Sequence, residues 1–590
     1  MTHSSIPSAQ TVVLHCKTKG VKNIVISPGS RNAPLTFGFT EDSFFSCFSI
    51  VDERCAGFFA LGIAQQLREP VALVCTSGSA LLNYYPAIAE AFFSDIPLVV
   101  ISADRPIYKI DIGDGQTIRQ DNVFHRHIGY SANLKQDVVH AKEKIKRYGC
   151  ALLAEDTIQI GQEKVQTFND NELNKALNIA LQNQVPVHIN VPFEEPLYDY
   201  IENCTVNPEF VFPETVKKEL LSEIKDFSAI WNSSKRKMIL VGVNPPNSVE
   251  EQFLKQLAHD PSVIVLTETT SNLHHNNFFP SIDSIIAPIE KSHRKDEFFR
   301  ALQPDVLLTF GGLIVSKKIK SMLRNYKPKH HWHVNEKKAY DTFFSLTHHF
   351  KMGINDFFAK LLPNANNIKS DYFNYWNSIK LKYESQRKEY IAQIRFSDML
   401  AFYHVANGLP DDCQLQLANS STVRYMQLFN QKPSVSVFCN RGTSGIDGST
   451  STAVGAAIYG EPPTVLLTGD LSFFYDSNAL WNKYIRNDFR IILVNNGGGG
   501  IFRILPGDNE RDNFELFFET THGFNAQNLC KMYGFEYRTV SGSDDLKNSL
   551  ADFFKKSSAP RVLEIKTPRI LNDKILLGYF DFISSEYINH

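Results

Sequence analysis

The chain has 590 residues, 43% of them hydrophobic and 21% charged, with a formal net charge of −2. That length implies three or four domains with a core each, and the balanced charge offers no basic surface for nucleic acid. Every long apolar run is interrupted by charges or turn residues, so no membrane span is expected; the start Met1-Thr-His-Ser-Ser-Ile-Pro7 lacks a signal-peptide plan, and nine scattered cysteines without Cys-x-x-Cys read as reduced thiols of a cytoplasmic protein.

Residues 1–197 read as one α/β unit. Predicted strands are Asn23–Ser27, Val71–Thr76, Pro97–Ser102 and Val185–Val191. They end in Pro28-Gly29-Ser30-Arg31, Ser77-Gly78-Ser79, Ala103-Asp104-Arg105-Pro106 and Pro192. Helical patterns such as Gly57–Gln65 fall between them. Strand, small-residue turn and helix in repetition is the doubly wound plan, and ligand groups collect at its turns. Residues 205–365 repeat the plan with strands Met238–Gly242, Val263–Leu266, Val306–Thr309 and His330–Val334, the third followed by Gly311-Gly312. The run His330-His-Trp-His333 alternates as a strand and has no acidic or Cys partner at ligand spacing, so it reads as structure rather than a metal site. Residues 366–399 are polar and form a helical linker. Residues 400–590 make a third unit with strands Gln414–Leu417, Val435–Phe438, Thr464–Thr468, Ile491–Val494 and Val562–Ile565. The fold class is therefore α/β, with three doubly wound (Rossmann-like) parallel-sheet domains.

The third unit carries the most informative pair of motifs. Gly469-Asp470-Leu471-Ser472 ends one apolar strand, and Asn496, 26 positions after Asp470, begins the loop after another, with Gly497–Gly500 behind it. A helix over Ser477–Ile485 is expected between the two strands. Ligands of open α/β sheets bind beyond the carboxyl ends of strands, so Asp470 and Asn496 share one crevice. A carboxylate and an amide oxygen suit a hard cation such as Mg²⁺ beside substrate phosphates, and glycines let backbone approach a phosphate. The plainer reading of either half alone is a helix cap and a turn. Taken together they resemble the thiamine-diphosphate fingerprint, with Leu471 in place of its usual third-position glycine.

Glu53, in Asp52-Glu53-Arg54, follows an apolar strand and opens an apolar helix. A carboxyl there suits sharing a proton with a bound heterocycle; the alternative is an ordinary surface ion pair with Arg54. Further motifs occur in order: Ile26-Ser-Pro-Gly-Ser-Arg-Asn-Ala-Pro-Leu35, Thr76-Ser-Gly-Ser-Ala80, Ser102-Ala-Asp-Arg-Pro106, Gly115-Gln-Thr-Ile-Arg-Gln120 and Asn440-Arg-Gly-Thr-Ser-Gly-Ile-Asp-Gly448. With Gly-Asp-Leu-Ser and the glycine loop ending at Ile501-Phe502, the set resembles the 2-succinyl-5-enolpyruvyl-6-hydroxy-3-cyclohexene-1-carboxylate (SEPHCHC) synthase family of menaquinone biosynthesis, a thiamine-diphosphate family. Gly-Asp-Leu-Ser is that family's own form of the fingerprint. The middle unit is the weakest match.

The resemblance implies a transferase that decarboxylates 2-oxoglutarate and adds the succinyl unit to isochorismate. It implies a homodimer or tetramer, with active sites between the pyrimidine-binding domain (1–197) of one subunit and the diphosphate-binding domain (400–590) of another, and a central domain at 205–365. Glu53 becomes the cofactor-activating acid. Asp470, Asn496 and the Gly498 carbonyl hold Mg²⁺ or Mn²⁺. Ser444, Gly445, Ile446, Gly469, Leu471, Ser472, Ile501 and Phe502 line the cofactor, with Ile446 bending it. Ser420 and Arg424 receive the oxoglutarate-derived carboxylate. Ser30, Arg31, Arg105 and Gln116 face isochorismate, Lys317 and Lys318 occupy the place of a Lys-Arg pair, and Phe502 and Leu505 form an apolar wall. Independently, Arg31, Arg105, Arg424 and Arg441 all follow predicted strand ends, where forked guanidinium groups suit dicarboxylate substrates. Two other readings compete: another thiamine-diphosphate 2-oxoacid decarboxylase or carboligase, and a non-catalytic nucleotide-binding protein. The glycine patterns fit neither Gly-x-Gly-x-x-Gly nor Walker A, which weighs against the second.

Overall fold

The computed structural model describes residues 2–153, 157–213, 224–460, 462–505 and 511–588. Its strands form three parallel sheets and one short antiparallel clip. The clip joins β1 (His3–Ser4) to β8 (Tyr200–Ile201). Between them lie β2 (Asn23–Ile26), β3 (Ser46–Ser49), β4 (Val71–Cys75), β5 (Leu98–Asp104), β6 (Tyr130–Asn133) and β7 (Val187–Pro192), in the order β3-β2-β4-β5-β7-β6. Strands β2, β4 and β5 are buried along their whole length, which is why they read as mainly apolar runs. Strand β6, Tyr-Ser-Ala-Asn, is too polar to stand out in the sequence.

The second sheet holds β9 (Lys237–Val241), β10 (Val263–Thr267), β11 (Val306–Phe310), β12 (His330–Val334) and β13 (His348–Phe350), in the order β10-β9-β11-β12-β13. A helix over Tyr372–Gln393 follows. The third sheet holds β14 (Gln414–Leu417), β15 (Ser436–Cys439), β16 (Thr464–Gly469), β17 (Arg490–Asn495), β18 (Glu536–Val540) and β19 (Arg561–Lys566), in the order β15-β14-β16-β17-β19-β18. The chain order reverses between β14 and β16, which makes their carboxyl ends the switch point where such sheets bind ligands. Among the described residues no helix is long and apolar enough to cross a membrane.

One expected helix is corrected. The span Ser477–Ile485 is not an α-helix: only Ser477–Leu480 is helical, as a 3₁₀ turn, and the α-helix runs earlier, Asp470–Tyr475, straight from the end of β16. Asp476 ends it, because its buried carboxylate is taken by the Ser451 N–H at 2.7 Å and hydroxyl at 2.8 Å.

The contacts divide the chain into two compact units. One comprises Met1–Thr215, Gly442–Gly460 and Tyr475–Arg486, and the other Val216–Arg441, Glu461–Phe474 and Asn487–His590. Two stretches of the third sequence unit thus belong with the first sheet. In that compact unit the helix Glu53–Leu67 crosses the helix Ser449–Ala456 at glycines. A Cβ on Gly62 would lie 2.1 Å from the Thr452 carbonyl oxygen, and one on Gly455 2.0 Å from that of Phe59, so only glycine permits this backbone approach.

Candidate active site

In the first compact unit, Glu53 is the first residue of its helix. Asp52 caps that helix by accepting the Cys55 N–H at 3.2 Å and is itself held by Asn478 at 2.8 Å. The Glu53 carboxyl is half-buried and accepts from Asn83 at 3.4 Å. Its field reaches Cys75 and Tyr84, at the carboxyl end of β4 and against Ser27 after β2, so it stands at the ligand-binding edge of the sheet. Arg54 does not pair with Glu53. It turns to the Tyr475 carbonyl at 3.1 Å and Asp476 at 3.5 Å, which removes the surface-pair alternative.

The loop Gly442-Thr443-Ser444-Gly445-Ile446 lies in the same unit. Glu90, almost fully buried, accepts the N–H groups of Gly442 at 2.7 Å and Thr443 at 2.6 Å and the Thr443 hydroxyl at 2.8 Å. This anchor was invisible in the sequence, because its partners lie about 350 positions away. Ser444 holds a left-handed backbone (φ 62°), as do Gln116 (φ 57°) and Ser420 (φ 68°). Such backbone strain concentrates at ligand sites, and here it falls on three residues chosen from sequence. Ser30 and Gln116 are exposed. Arg105 donates to the Gly115 carbonyl at 2.8 Å, which ties it to the Gln116 loop. Arg31 is buried and donates to the Phe193 carbonyl at 3.0 Å and Glu195 at 2.9 Å, while its Nε has no hydrogen-bond partner among the described residues.

In the second compact unit, β16 and β17 pair with Gly469 opposite Val494. Asp470 and Asn496 therefore stand at neighbouring strand ends, as their spacing implied. Asp470 is buried; its Oδ1 accepts the Leu471 N–H at 2.7 Å, and its Oδ2 accepts Gly497 N–H at 2.8 Å and Gly498 N–H at 3.0 Å. Gly498, with φ 153°, closes on the Glu519 carbonyl, which a Cβ would meet at 2.8 Å. The Asn496 amide is oriented by Asp398, which accepts from its Nδ2 at 2.9 Å and from Thr567 at 2.5 Å. Burial raises Asp398 to about 6, with Asp470 adding to the rise and its hydrogen bonds opposing it. Among the described residues the buried Asn496 Oδ1 has no hydrogen-bond partner. A buried acceptor of this kind is costly unless a ligand completes it, and beside the Asp470 carboxylate and the Gly498 carbonyl it makes a set of hard oxygen donors. The residues present thus fit a cation on a diphosphate. Among the described residues no cluster of three or more His, Cys, Asp or Glu offers a metal site by itself. Asp398, Glu519 and His522, whose Nε2 is 3.3 Å from Asp470, were not predicted.

Across the switch point, Ser420 precedes the helix Ser421–Met426, and Arg424 donates back to its carbonyl at 2.6 Å. Arg441 is buried and donates to Asn419 at 2.6 Å. Burial lowers the pKa of Arg424, and the neighbouring Arg441 lowers it further. Phe502 and Leu505 are exposed apolar side chains, Ser472 is buried, and Leu471 and Ile501 are half-buried. Lys317 is exposed, and Lys318 pairs with Glu290 at the head of the helix Lys317–Asn325.

Glu268 is buried and receives the N–H groups of Val315, at 2.7 Å, and Ser316, at 2.7 Å. Burial raises its pKa from 4.5 to about 7, against those hydrogen bonds. The folded state therefore keeps the proton that the unfolded chain loses above 4.5. This contribution to stability is full below that pH and is lost as pH rises to about 7. Glu268→Gln removes it, so the melting-temperature difference, variant minus wild type, should move in the variant's favour between pH 5 and pH 8. The shift corresponds to at most about 3 kcal/mol; a difference constant with pH refutes it.

Residues 8–128 match the family model of the thiamine pyrophosphate enzyme N-terminal TPP binding domain, and residues 419–565 that of the C-terminal TPP binding domain. The 2-succinyl-5-enolpyruvyl-6-hydroxy-3-cyclohexene-1-carboxylate synthase of Christiangramia forsetii is 55% identical over 587 residues, covering 99% of this chain and 100% of that one. The synthase of the same name from Flavobacterium johnsoniae is 51% identical, covering 98% and 99%. That of Porphyromonas gingivalis is 37% identical, covering 96% of each. On these grounds, and with both fingerprint halves at neighbouring strand ends, the chain belongs to the 2-succinyl-5-enolpyruvyl-6-hydroxy-3-cyclohexene-1-carboxylate synthase family of thiamine pyrophosphate enzymes.

Proposed function

We propose that the protein decarboxylates 2-oxoglutarate on thiamine diphosphate and joins the succinyl unit to isochorismate, yielding SEPHCHC and carbon dioxide for menaquinone biosynthesis. The observation that carries this reading is the pairing, at one switch point, of the Asp470–Asn496 oxygens after β16 and β17 with Ser420 and Arg424 after β14. The first suits a diphosphate with its cation, and the second a carboxylate. When bound, thiamine diphosphate supplies the nucleophilic carbon and the electron sink for decarboxylation. Asp470, Asn496 and the Gly498 carbonyl would hold Mg²⁺ or Mn²⁺. Glu53 would share its proton with the pyrimidine ring, Ile446 would shape the cofactor, and Phe502 and Leu505 would shield the reacting carbon from water. Arg31, Arg105 and Gln116 serve isochorismate, with 1–197, 205–365 and 400–590 as pyrimidine-binding, central and diphosphate-binding domains. The working form is a cytoplasmic homodimer or tetramer with active sites between subunits.

The test is one assay with 2-oxoglutarate, isochorismate, thiamine diphosphate and Mg²⁺, with the product identified by mass. Carbon dioxide release without that product would leave another 2-oxoacid decarboxylase as the answer.

Arg424→Ala is expected to impair use of 2-oxoglutarate far more than use of isochorismate. Removing a charge-assisted contact from a desolvated site costs about 2–5 kcal/mol in kcat/KM. Equal losses for both substrates would make Arg424 structural or shared.

A further inference from the structure

The helix Lys317–Asn325 is fastened at its head. Ser316 caps it by accepting the Ile319 N–H at 3.2 Å and donates its hydroxyl to Asp283, while Glu268 takes the Val315 and Ser316 N–H groups. The loop after Glu268 reaches Asn272, whose side chain exchanges hydrogen bonds with the backbone of Val437 in β15, at 2.8 and 2.9 Å. Strand β15 leads to Arg441. Asn419, held by Arg441 and donating to the Asn440 carbonyl at 2.7 Å, leads to Ser420 and Arg424. Hydrogen bonds alternating with short backbone segments thus join the head of this helix to the loop of the predicted carboxylate clamp.

Lys320 lies four residues after Ser316, on the face that Ser316 presents, because residues four apart stack on a helix. Its charged neighbours are Glu268, Arg441, Arg324 and Arg424. The side chain is half-buried and has no hydrogen-bond or ion-pair partner among the described residues. Burial lowers its pKa; Glu268 opposes the shift, and the three arginines add to it. Glu268 offsets part of this charge but forms no ion pair with Lys320; its oxygens accept the Val315 and Ser316 N–H groups, and burial raises its pKa to about 7. Cations crowded in a part-buried crevice repel one another unless an anion joins them. Among the described residues Lys318 is in an ion pair with Glu290 and Lys320 is in none, and the one carboxyl of Glu268 stands against the charges of Lys320 and three arginines.

We propose that Lys320 is a third carboxylate-binding cation, closing with Arg424 and Arg441 around the distal carboxylate of the 2-oxo dicarboxylic acid. The proposal rests on the functional reading above and names a residue outside the Lys317–Lys318 pair. Lysine suits the role because its ammonium rotates to meet a carboxylate oxygen left open by a forked arginine.

The test compares Lys320→Met, which keeps the unbranched stem, with Lys320→Arg in the holoenzyme. The Met variant should raise KM for 2-oxoglutarate about tenfold or more, the scale of one lost charge-assisted hydrogen bond. Its kcat, KM for isochorismate and affinity for thiamine diphosphate should stay near wild type. Calorimetric binding of glutarate, an unreactive dicarboxylate, should weaken by the same factor, and the Arg variant should recover most of both. An unchanged KM for 2-oxoglutarate in Lys320→Met, or equal losses for both substrates, overturns the assignment. If the wild-type enzyme releases no carbon dioxide from 2-oxoglutarate, the functional reading falls first. If wild type releases it and Arg424→Ala is impaired while Lys320→Met is not, the Lys320 proposal falls alone.

Discussion

Glu53→Gln should fold, assemble and bind thiamine diphosphate with Mg²⁺, yet lose carbon dioxide release and product formation by about 10²-fold or more, the scale of general acid–base contributions. Glu53 opens a helix whose cap is independently secured by Asp52 and Asn478. Among the described residues its own side chain has one long hydrogen bond, from Asn83 at 3.4 Å, so little folding energy depends on it. Gln keeps the size of the side chain and can still accept from Asn83. It cannot share a proton with a pyrimidine ring nitrogen as a carboxyl can. Arg54 is already engaged by Asp476 and the Tyr475 carbonyl, so the substitution breaks no ion pair that could mimic the effect. The deciding measurement is deuterium exchange at C2 of the bound cofactor. Wild-type exchange in the Gln variant would mean that another group removes that proton.

Asp470→Ala should abolish Mg²⁺-dependent binding of thiamine diphosphate. One carboxylate does two jobs there. It is the only charged member of the proposed cation set, and its oxygens gather the N–H groups of Leu471, Gly497 and Gly498 into one loop. Alanine removes the charge and releases the loop, so a loss of about 2–5 kcal/mol in cofactor affinity is expected, as for a buried charge that loses its partner. The sheet itself should survive, because β16 and β17 are buried and paired along their length upstream of the site. Asp470→Asn separates the two jobs: it can retain part of the loop while lacking the charge. Titration calorimetry in Mg²⁺ reads both variants. Wild-type affinity in the Ala variant refutes the assignment.

The three parallel sheets and the Asp470–Asn496 pair were readable in the sequence for one physical reason. Parallel strands buried on both faces must be nearly continuous apolar runs, and their ligand-binding residues must follow at the carboxyl ends. That logic located β2, β4, β5, β9, β16 and β17 from their apolar runs and places Asp470 and Asn496 together, whereas the buried β14 is an alternating Gln-Leu-Gln-Leu. It failed where burial is incomplete or the strand is polar, as in β6 and β18. It also failed at Ser477–Ile485, where a contact from Asp476 to Ser451 overrode local helix propensity.

Tertiary structure alone decided the finer features of the site. The hydrogen bond that aims the Asn496 amide is accepted by Asp398, 98 positions away, and the N–H groups of the Gly442–Thr443 turn are accepted by Glu90, 352 and 353 positions away. The left-handed backbones of Gln116, Ser420 and Ser444 carry no sequence mark, since none of the three is glycine. Of the lysines in Lys317-Lys318-Ile319-Lys320, the pattern drew attention to the first two, yet the fold gives Lys318 an anion in Glu290 and sets Lys320 among the charges of Glu268, Arg441, Arg324 and Arg424. Local sequence sets which face an element buries. Partners brought together by chain closure over hundreds of residues set where a charge points and whether anything neutralises it, and those are the properties on which this site depends.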